Sequence, residues 1–228
     1  MQKNKKKFWD YMISENLKKR IYTSFFLILF LFLMIISKPI LLYLLIIIGI
    51  FSIIEFSEVI KKIGKQSLTR LFYNLSFISY IFVFFTFFFI LSNIIQFKII
   101  LFCLLLTCIA SDIGGYIFGK IFKGPKITKI SPNKTVSGSL GSFILSCITL
   151  NSLFVLLTIN VNFVTISISI ITSFFCQTGD LFFSFLKRKA KIKDTGNLLP
   201  GHGGVLDRVD GIMFGLPVSF IFVLIFFN

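Results

Sequence analysis

Seven stretches of the chain are apolar enough to read as membrane-crossing helices, at about 21–36, 39–56, 71–92, 94–118, 138–158, 162–186 and 211–227. Crossing about 30 Å of hydrocarbon takes roughly 20 apolar residues, and the first stretch is short by that measure. Between the stretches the chain is polar and basic, with no fixed-period repeat and no low-complexity linker. The pattern predicts an all-α polytopic integral membrane protein of about seven transmembrane helices. A basic segment over 1–20 precedes a single transmembrane domain over 21–228.

Charge placement gives the expected orientation. Lys3, Lys5, Lys6, Lys7, Lys18, Lys19 and Arg20 open the chain, and the other cations gather in loops from Lys61 to Arg70, Lys120 to Lys134 and Lys187 to Arg208. Only Lys38 and Lys98 fall elsewhere. With seven spans and a cytoplasmic N-terminus, every basic loop lands on the cytoplasmic side, as the positive-inside bias requires. The net charge of +15 is therefore mostly topology, helped at the N-terminus by anionic lipid headgroups. Nucleic-acid recognition is not expected, because the aromatic residues sit in the spans.

Composition agrees: 56% hydrophobic residues, 32 phenylalanines and a mean hydropathy of +0.92 lie outside the soluble range. Phe8, Trp9, Tyr11, Met12 and Ile13 among the first lysines suit an interfacial helix. The first span runs at once into Lys38-Pro39 without a small-residue cleavage site, so a retained signal anchor is expected. Enrichment in Phe, Ile, Lys and Asn points to an AT-rich bacterial genome and hence a bacterial inner membrane.

Cys103, Cys108, Cys147 and Cys176 lie inside predicted spans, with no CxxC pair and a single histidine, so they read as apolar packing residues. Of the nine acids, four need explaining. Asp112 and Asp180 sit near the cytoplasmic ends of the fourth and sixth stretches, where an unpaired carboxylate costs a few kcal/mol. Asp207 and Asp210 are three apart and share a face if the seventh helix begins there. Two like charges that close need a cation between them, and a bond to Arg208 or a helix N-terminus is the plainer alternative.

The stretch from Ser184 to Asp210 concentrates the chemistry. A basic run from Lys187 to Lys193 leads to the turn Pro200-Gly201-His202-Gly203-Gly204 and then to Asp207 and Asp210. Bare glycine backbone can approach an anion, lysines neutralise it, and oxygen-only acids suit Mg²⁺ or another hard cation. His202 reads equally as a turn residue or a phosphate contact. Ser111-Asp112-Ile113-Gly114-Gly115-Tyr116 and the loop from Lys129 to Thr135 add an acid, lysines and hydroxyls on the same predicted face. Gly114 and Gly115 read first as a close-packing device.

These residues resemble the phosphatidate cytidylyltransferase family, the CDP-diacylglycerol synthases. The resemblance rests on Ser184-x-x-Lys187-Arg188, Lys193-Asp194, Pro200 to Gly204 and Asp207-Arg208-x-Asp210. It extends upstream to Gly179-Asp180-Leu181, Ser111 to Gly114 and Ser131-Pro132-x-Lys134-Thr135, about residues 107–215. The family commonly carries a glutamate shortly after its Lys-Thr pair, where this chain reads Val136-Ser137-Gly138. The chain is also shorter than many relatives, and one or two N-terminal spans fewer than theirs are expected.

The resemblance implies cytidylyl transfer from CTP to phosphatidate, giving CDP-diacylglycerol and pyrophosphate. Asp180, Asp207 and Asp210 would hold Mg²⁺, with room for a second cation, and Lys187, Arg188 and Lys193 would act with them in catalysis. Asp112, Lys134, Ser184, Gly201, His202, Gly203, Gly204 and Arg208 would bind substrate. Membrane lipids are the setting and a homodimer is in keeping with the family. Two other classes compete. A transporter would spread acids along the pore depth, whereas these cluster at one face. A lipid kinase using CTP would move phosphate instead of a nucleotide, and the length of the signature speaks against it.

Overall fold

The computed structural model describes Lys18 and residues 22–64, 66–128, 131, 134–201 and 203–226. The expected basic segment over 1–20 therefore lies, Lys18 apart, outside the described residues, as does His202. Seven helices follow in order: α1 (Tyr22–Ile36), α2 (Lys38–Ile63), α3 (Ser67–Leu91), α4 (Ile95–Phe122), α5 (Val136–Leu156), α6 (Phe163–Lys189) and α7 (Leu206–Phe226). Among the described residues there is no sheet, only isolated bridges of Lys126 with Thr135 and Leu199 with Gly203.

Helices α2 to α7 are each long and apolar enough to cross a bilayer. The chain is a multi-pass, all-α membrane protein. At 1.5 Å per residue the described part of α1 covers about 22 Å, so among the described residues six helices meet the length criterion and α1 is a shorter apolar helix beside them, in keeping with the expected all-α polytopic architecture. Lys98, one of the two lysines outside the basic loops, is buried and donates to Ile35 O at 2.5 Å, at the C-terminal end of α1.

Local signals set several helix starts. Pro39 occupies the first turn of α2, where its missing N–H costs nothing. Thr135 caps α5 by accepting the Gly138 N–H at 3.1 Å. Asn162 and Thr165 form a reciprocal capping box at α6. Helices α2, α4 and α6 run to Ile63, Phe122 and Lys189, past the apolar stretches that predict them, and α7 begins ahead of its stretch at Leu206. The extra turns carry charged residues, Glu58, Lys61, Lys62, Lys120, Lys187 to Lys189, Asp207 and Asp210 among them, so hydropathy reports them poorly.

Helix α4 packs most extensively on α5, and α6 on α7. At the first interface a Cβ on Gly114 would stand 2.5 Å from Gly141 O, so this glycine serves close packing. Serines satisfy one another nearby, with Ser111 Oγ 2.9 Å from Ser173 Oγ and Ser142 Oγ donating to Ser111 O at 2.7 Å. Cys103, Cys108 and Cys176 are buried and unbridged, as packing residues. Leu101, Leu104, Leu150, Phe154, Ile168, Met213, Leu216 and Phe220 fill the bundle centre. Phe72, Phe82 and Val83 on α3 are exposed, which suits a lipid-facing surface.

Proline 217 lies inside α7 and supplies no N–H to the carbonyl four residues earlier, that of Met213. Tyr80 Oη of α3 donates to that carbonyl instead. In a bilayer, where water cannot replace the lost bond, such a donor has particular value.

Candidate active site

Successive spans alternate in direction, so the C-terminal ends of α2, α4 and α6 and the N-terminal ends of α5 and α7 share one side. The polar side chains meet there. On α6, Asp180, Ser184 and Lys187 follow at helical spacing along one face, and Ser184 Oγ donates to Asp180 Oδ1 at 3.4 Å. A Cβ on Gly179 would lie 2.8 Å from Asp210 O, so glycine there lets α7 close onto α6 beside Asp180.

Asp207 and Asp210 occupy the first turns of α7, as their spacing predicts. The cation between them is Lys187, whose Nζ lies 2.7 Å from Asp207 Oδ1 and 3.7 Å from Asp210 Oδ2. The pair is enclosed, with Lys187 12% and Asp207 6% exposed at the side chain. Asp207 Oδ2 accepts the Thr195 N–H at 2.8 Å and the Gly204 N–H at 3.0 Å. Asp210 Oδ1 accepts the Gly211 N–H at 2.9 Å.

Lys134, just ahead of α5, reaches Asp180 Oδ2 at 2.5 Å. Asp112 on α4 lies within electrostatic reach of Asp180, Lys134 and Arg208, and Asp210 within reach of Asp180, Asp112 and Lys187. The fold thus gathers four acids and three cations from α4, α6, α7 and the loop before α5. Their sequence separation is large and their separation in space is small.

Other predicted residues stand apart. Arg188 is exposed, its Nη1 donating to Ile192 O at 3.2 Å, and Lys193 is exposed in the loop after α6. Gly201 and Gly203 have φ of 77° and 84°, which only glycine adopts without strain. They make the turn that pairs Leu199 N with Gly203 O at 2.9 Å. The Gly204 N–H is directed at the protein's own Asp207, not outward as an open phosphate cradle. Arg208, within electrostatic reach of Asp112, stands at the exposed rim of the cluster on the first turn of α7.

A family model described as the Cytidylyltransferase family matches residues 61–226. The chain belongs to the Cytidylyltransferase family. A protein named phosphatidate cytidylyltransferase from Staphylococcus aureus (strain COL) is 42% identical over 110 residues, covering 47% of this chain and 42% of that protein. The one so named from Staphylococcus haemolyticus (strain JCSC1435) is 44% identical over 110 residues with the same coverage. The match spans less than half the length of these relatives.

One further acid borders this cluster without standing out in the sequence. Glu55 of α2 is 5% exposed. Its Oε2 accepts from Thr195 Oγ1 at 2.7 Å and from the Leu206 N–H at 2.9 Å, and its Oε1 accepts the Val205 N–H at 2.9 Å. The signal that singled out Asp112 and Asp180, an acid inside an apolar stretch, applies equally to Glu55 within 39–56.

Proposed function

We propose that this chain transfers the cytidylyl group of CTP to phosphatidate, forming CDP-diacylglycerol and releasing pyrophosphate. The observation that carries the reading is the Lys187 ammonium set between Asp207 and Asp210, beside the Lys134–Asp180 pair at one end of the bundle. In this reaction a phosphatidate oxygen attacks the α-phosphorus of CTP, and the bond to the β-phosphate oxygen breaks. The nucleophile is already an anion, so no strong base is required. The barrier lies in bringing two polyanions together and holding the charge that builds at phosphorus. Lys187 and Lys134 are placed to neutralise those phosphates, each kept in place by an acid until substrate arrives.

The acids suit Mg²⁺ by donor chemistry. Asp180, Asp207 and Asp210 offer oxygen alone, and the Asp180 side chain is 32% exposed. Among the described residues no three acids, histidines or cysteines enclose a metal by themselves. Mg²⁺ commonly takes one or two carboxylates and completes its shell with water and substrate phosphates. Asp180, Asp207 and Asp210 are the residues that would hold it, with a second cation part of the same reading. When bound, it would neutralise and polarise the CTP phosphates. Asp112 would order a cation or the polar end of the site.

The reading further places the site on the cytoplasmic face of a bacterial inner membrane, where CTP is available and the lipid tails remain in the bilayer. The lysine distribution supports that orientation. The homodimer belongs to the same reading through the family resemblance.

The test is pyrophosphate release by purified, detergent-solubilised protein given CTP, Mg²⁺ and short-chain phosphatidate, with each omitted in turn. Pyrophosphate and CDP-diacylglycerol are expected only in the complete mixture. Folded protein that yields neither, yet phosphorylates a lipid alcohol from CTP or moves an ion into liposomes, overturns the proposal.

A further inference from the structure

Glu55 stands next to the cluster of acids and lysines but takes no part in its ion pairs. It accepts from two backbone N–H groups and one hydroxyl, all in the segment 195–206 that also bonds Asp207. Val205 precedes α7 and Leu206 opens it, so the carboxylate sits at the positive end of that helix and satisfies N–H groups that have no partner within it. Thr195 joins the two acids directly, giving its hydroxyl to Glu55 and its N–H to Asp207 Oδ2. Gly204, whose N–H goes to the same Asp207 oxygen, lies so near Glu55 that a Cβ there would overlap the Glu55 carboxylate and the Thr195 hydroxyl.

We propose that Glu55 is a positioning residue of the site: it clamps Thr195 and the start of α7, and so fixes where Asp207 holds Lys187. For the role of the site the proposal rests on the cytidylyltransferase reading. The clamp itself rests on the contacts. A carboxylate is required because three donors converge on two oxygens, and no other side chain of this length accepts all three without offering a donor of its own. In Glu55→Gln the amide NH₂ replaces one accepting oxygen with nearly unchanged volume, leaving a backbone N–H of α7 facing a donor.

The experiment compares wild type, Glu55→Gln, Thr195→Val and Glu58→Gln as full-length protein in detergent. Steady-state kinetics with CTP, Mg²⁺ and short-chain phosphatidate are read beside hydrogen exchange of peptides covering 195–206. For Glu55→Gln, kcat/KM is expected to fall about 10- to 100-fold, with a raised KM for CTP and faster exchange confined to that segment. Thr195→Val should shift both in the same direction by less. Glu58, exposed on the same helix, should be neutral when changed to glutamine. Mere loss of folded enzyme would lower kcat and leave KM unchanged.

A wild-type KM with faster exchange would reduce Glu55 to a stability contact and overturn positioning. Wild-type KM and exchange in both variants would remove the clamp altogether. If Glu55→Gln does not fold, Thr195→Val decides by the same two measurements. If wild type itself forms no CDP-diacylglycerol, the activity reading falls while exchange still decides the clamp.

Discussion

Glu55 and Asp210 are buried almost equally, 5% and 7% exposed, and both accept backbone N–H groups, yet Asp210 faces an ammonium as well. Asp210 and its neighbour Asp207 face the ammonium of Lys187, at the end of a flexible stem. Glu55 faces backbone N–H groups that are fixed parts of α7. An ammonium can turn toward an incoming phosphate and return, whereas an N–H at a helix start cannot leave its place. Where a lysine neutralises the acid, the site can exchange partners. Where the backbone does so, the acid fixes geometry.

The comparison is broken most severely at Asp207, which Lys187 and two backbone N–H groups grip together. Asp207→Asn keeps the shape but weakens the hold on Lys187 and on the Thr195 and Gly204 amides. A fall in kcat/KM of about 10²- to 10³-fold is expected, with membrane insertion intact, measured as CDP-diacylglycerol formed by folded protein. Near-normal activity at saturating Mg²⁺ would exclude Asp207 from the site. Lys187→Ala leaves the two acids facing each other and should lower kcat/KM about 10- to 100-fold through the KM for CTP or phosphatidate or through kcat. Unchanged kcat/KM for both substrates would remove Lys187. Lys193→Ala, exposed and outside the cluster, should cost less than Lys187→Ala.

Much of this site was legible in the sequence because its chemistry is concentrated. Asp207 and Asp210 at helical spacing require a cation, and Lys187 is that cation. Ser184 lies one turn from Asp180 and bonds to it, as the spacing predicts. Arg188 and Lys193 carry the same charge as Lys187 and adjoin it in sequence, but helix periodicity and the turn after Ala190 point them elsewhere. Charge type alone does not tell these three apart. Glu55 was not legible as a partner because its contacts lie 140 to 151 residues away and nothing local marks them. The helix ends at Ile63, Phe122 and Lys189 escaped for another reason: hydropathy follows the hydrocarbon, and a helix continues wherever its backbone bonds can be made.

Lys134 sharpens the comparison at the more exposed pair. The Lys134 and Asp180 side chains are 23% and 32% exposed, so solvent screens the bond and Asp180 keeps water as an alternative partner. Lys134→Ala should therefore cost about 3- to 10-fold in kcat/KM, less than Lys187→Ala, seen as a raised KM. An effect equal to that of Lys187→Ala would mean that the two lysines act as one unit, which the double variant would show by costing no more than either alone.

The smallest expected effect lies farthest from the chemistry and tests whether stability and turnover separate. Tyr80 Oη supplies the Met213 carbonyl with the donor that Pro217 withholds, within the body of α7. Tyr80→Phe removes that hydroxyl and leaves the ring, which stacks on Phe84 and touches Phe214. A buried acceptor left without its donor costs about 1 to 3 kcal/mol, so the thermal unfolding midpoint in detergent should fall. Activity at lower temperature should stay close to wild type, because the first turn of α7 is held by Glu55 and Asp207 rather than by Tyr80. A lowered kcat/KM without loss of stability would show that the Tyr80–Met213 contact is felt along α7 at Asp210, and would join the two regions that the contacts keep apart.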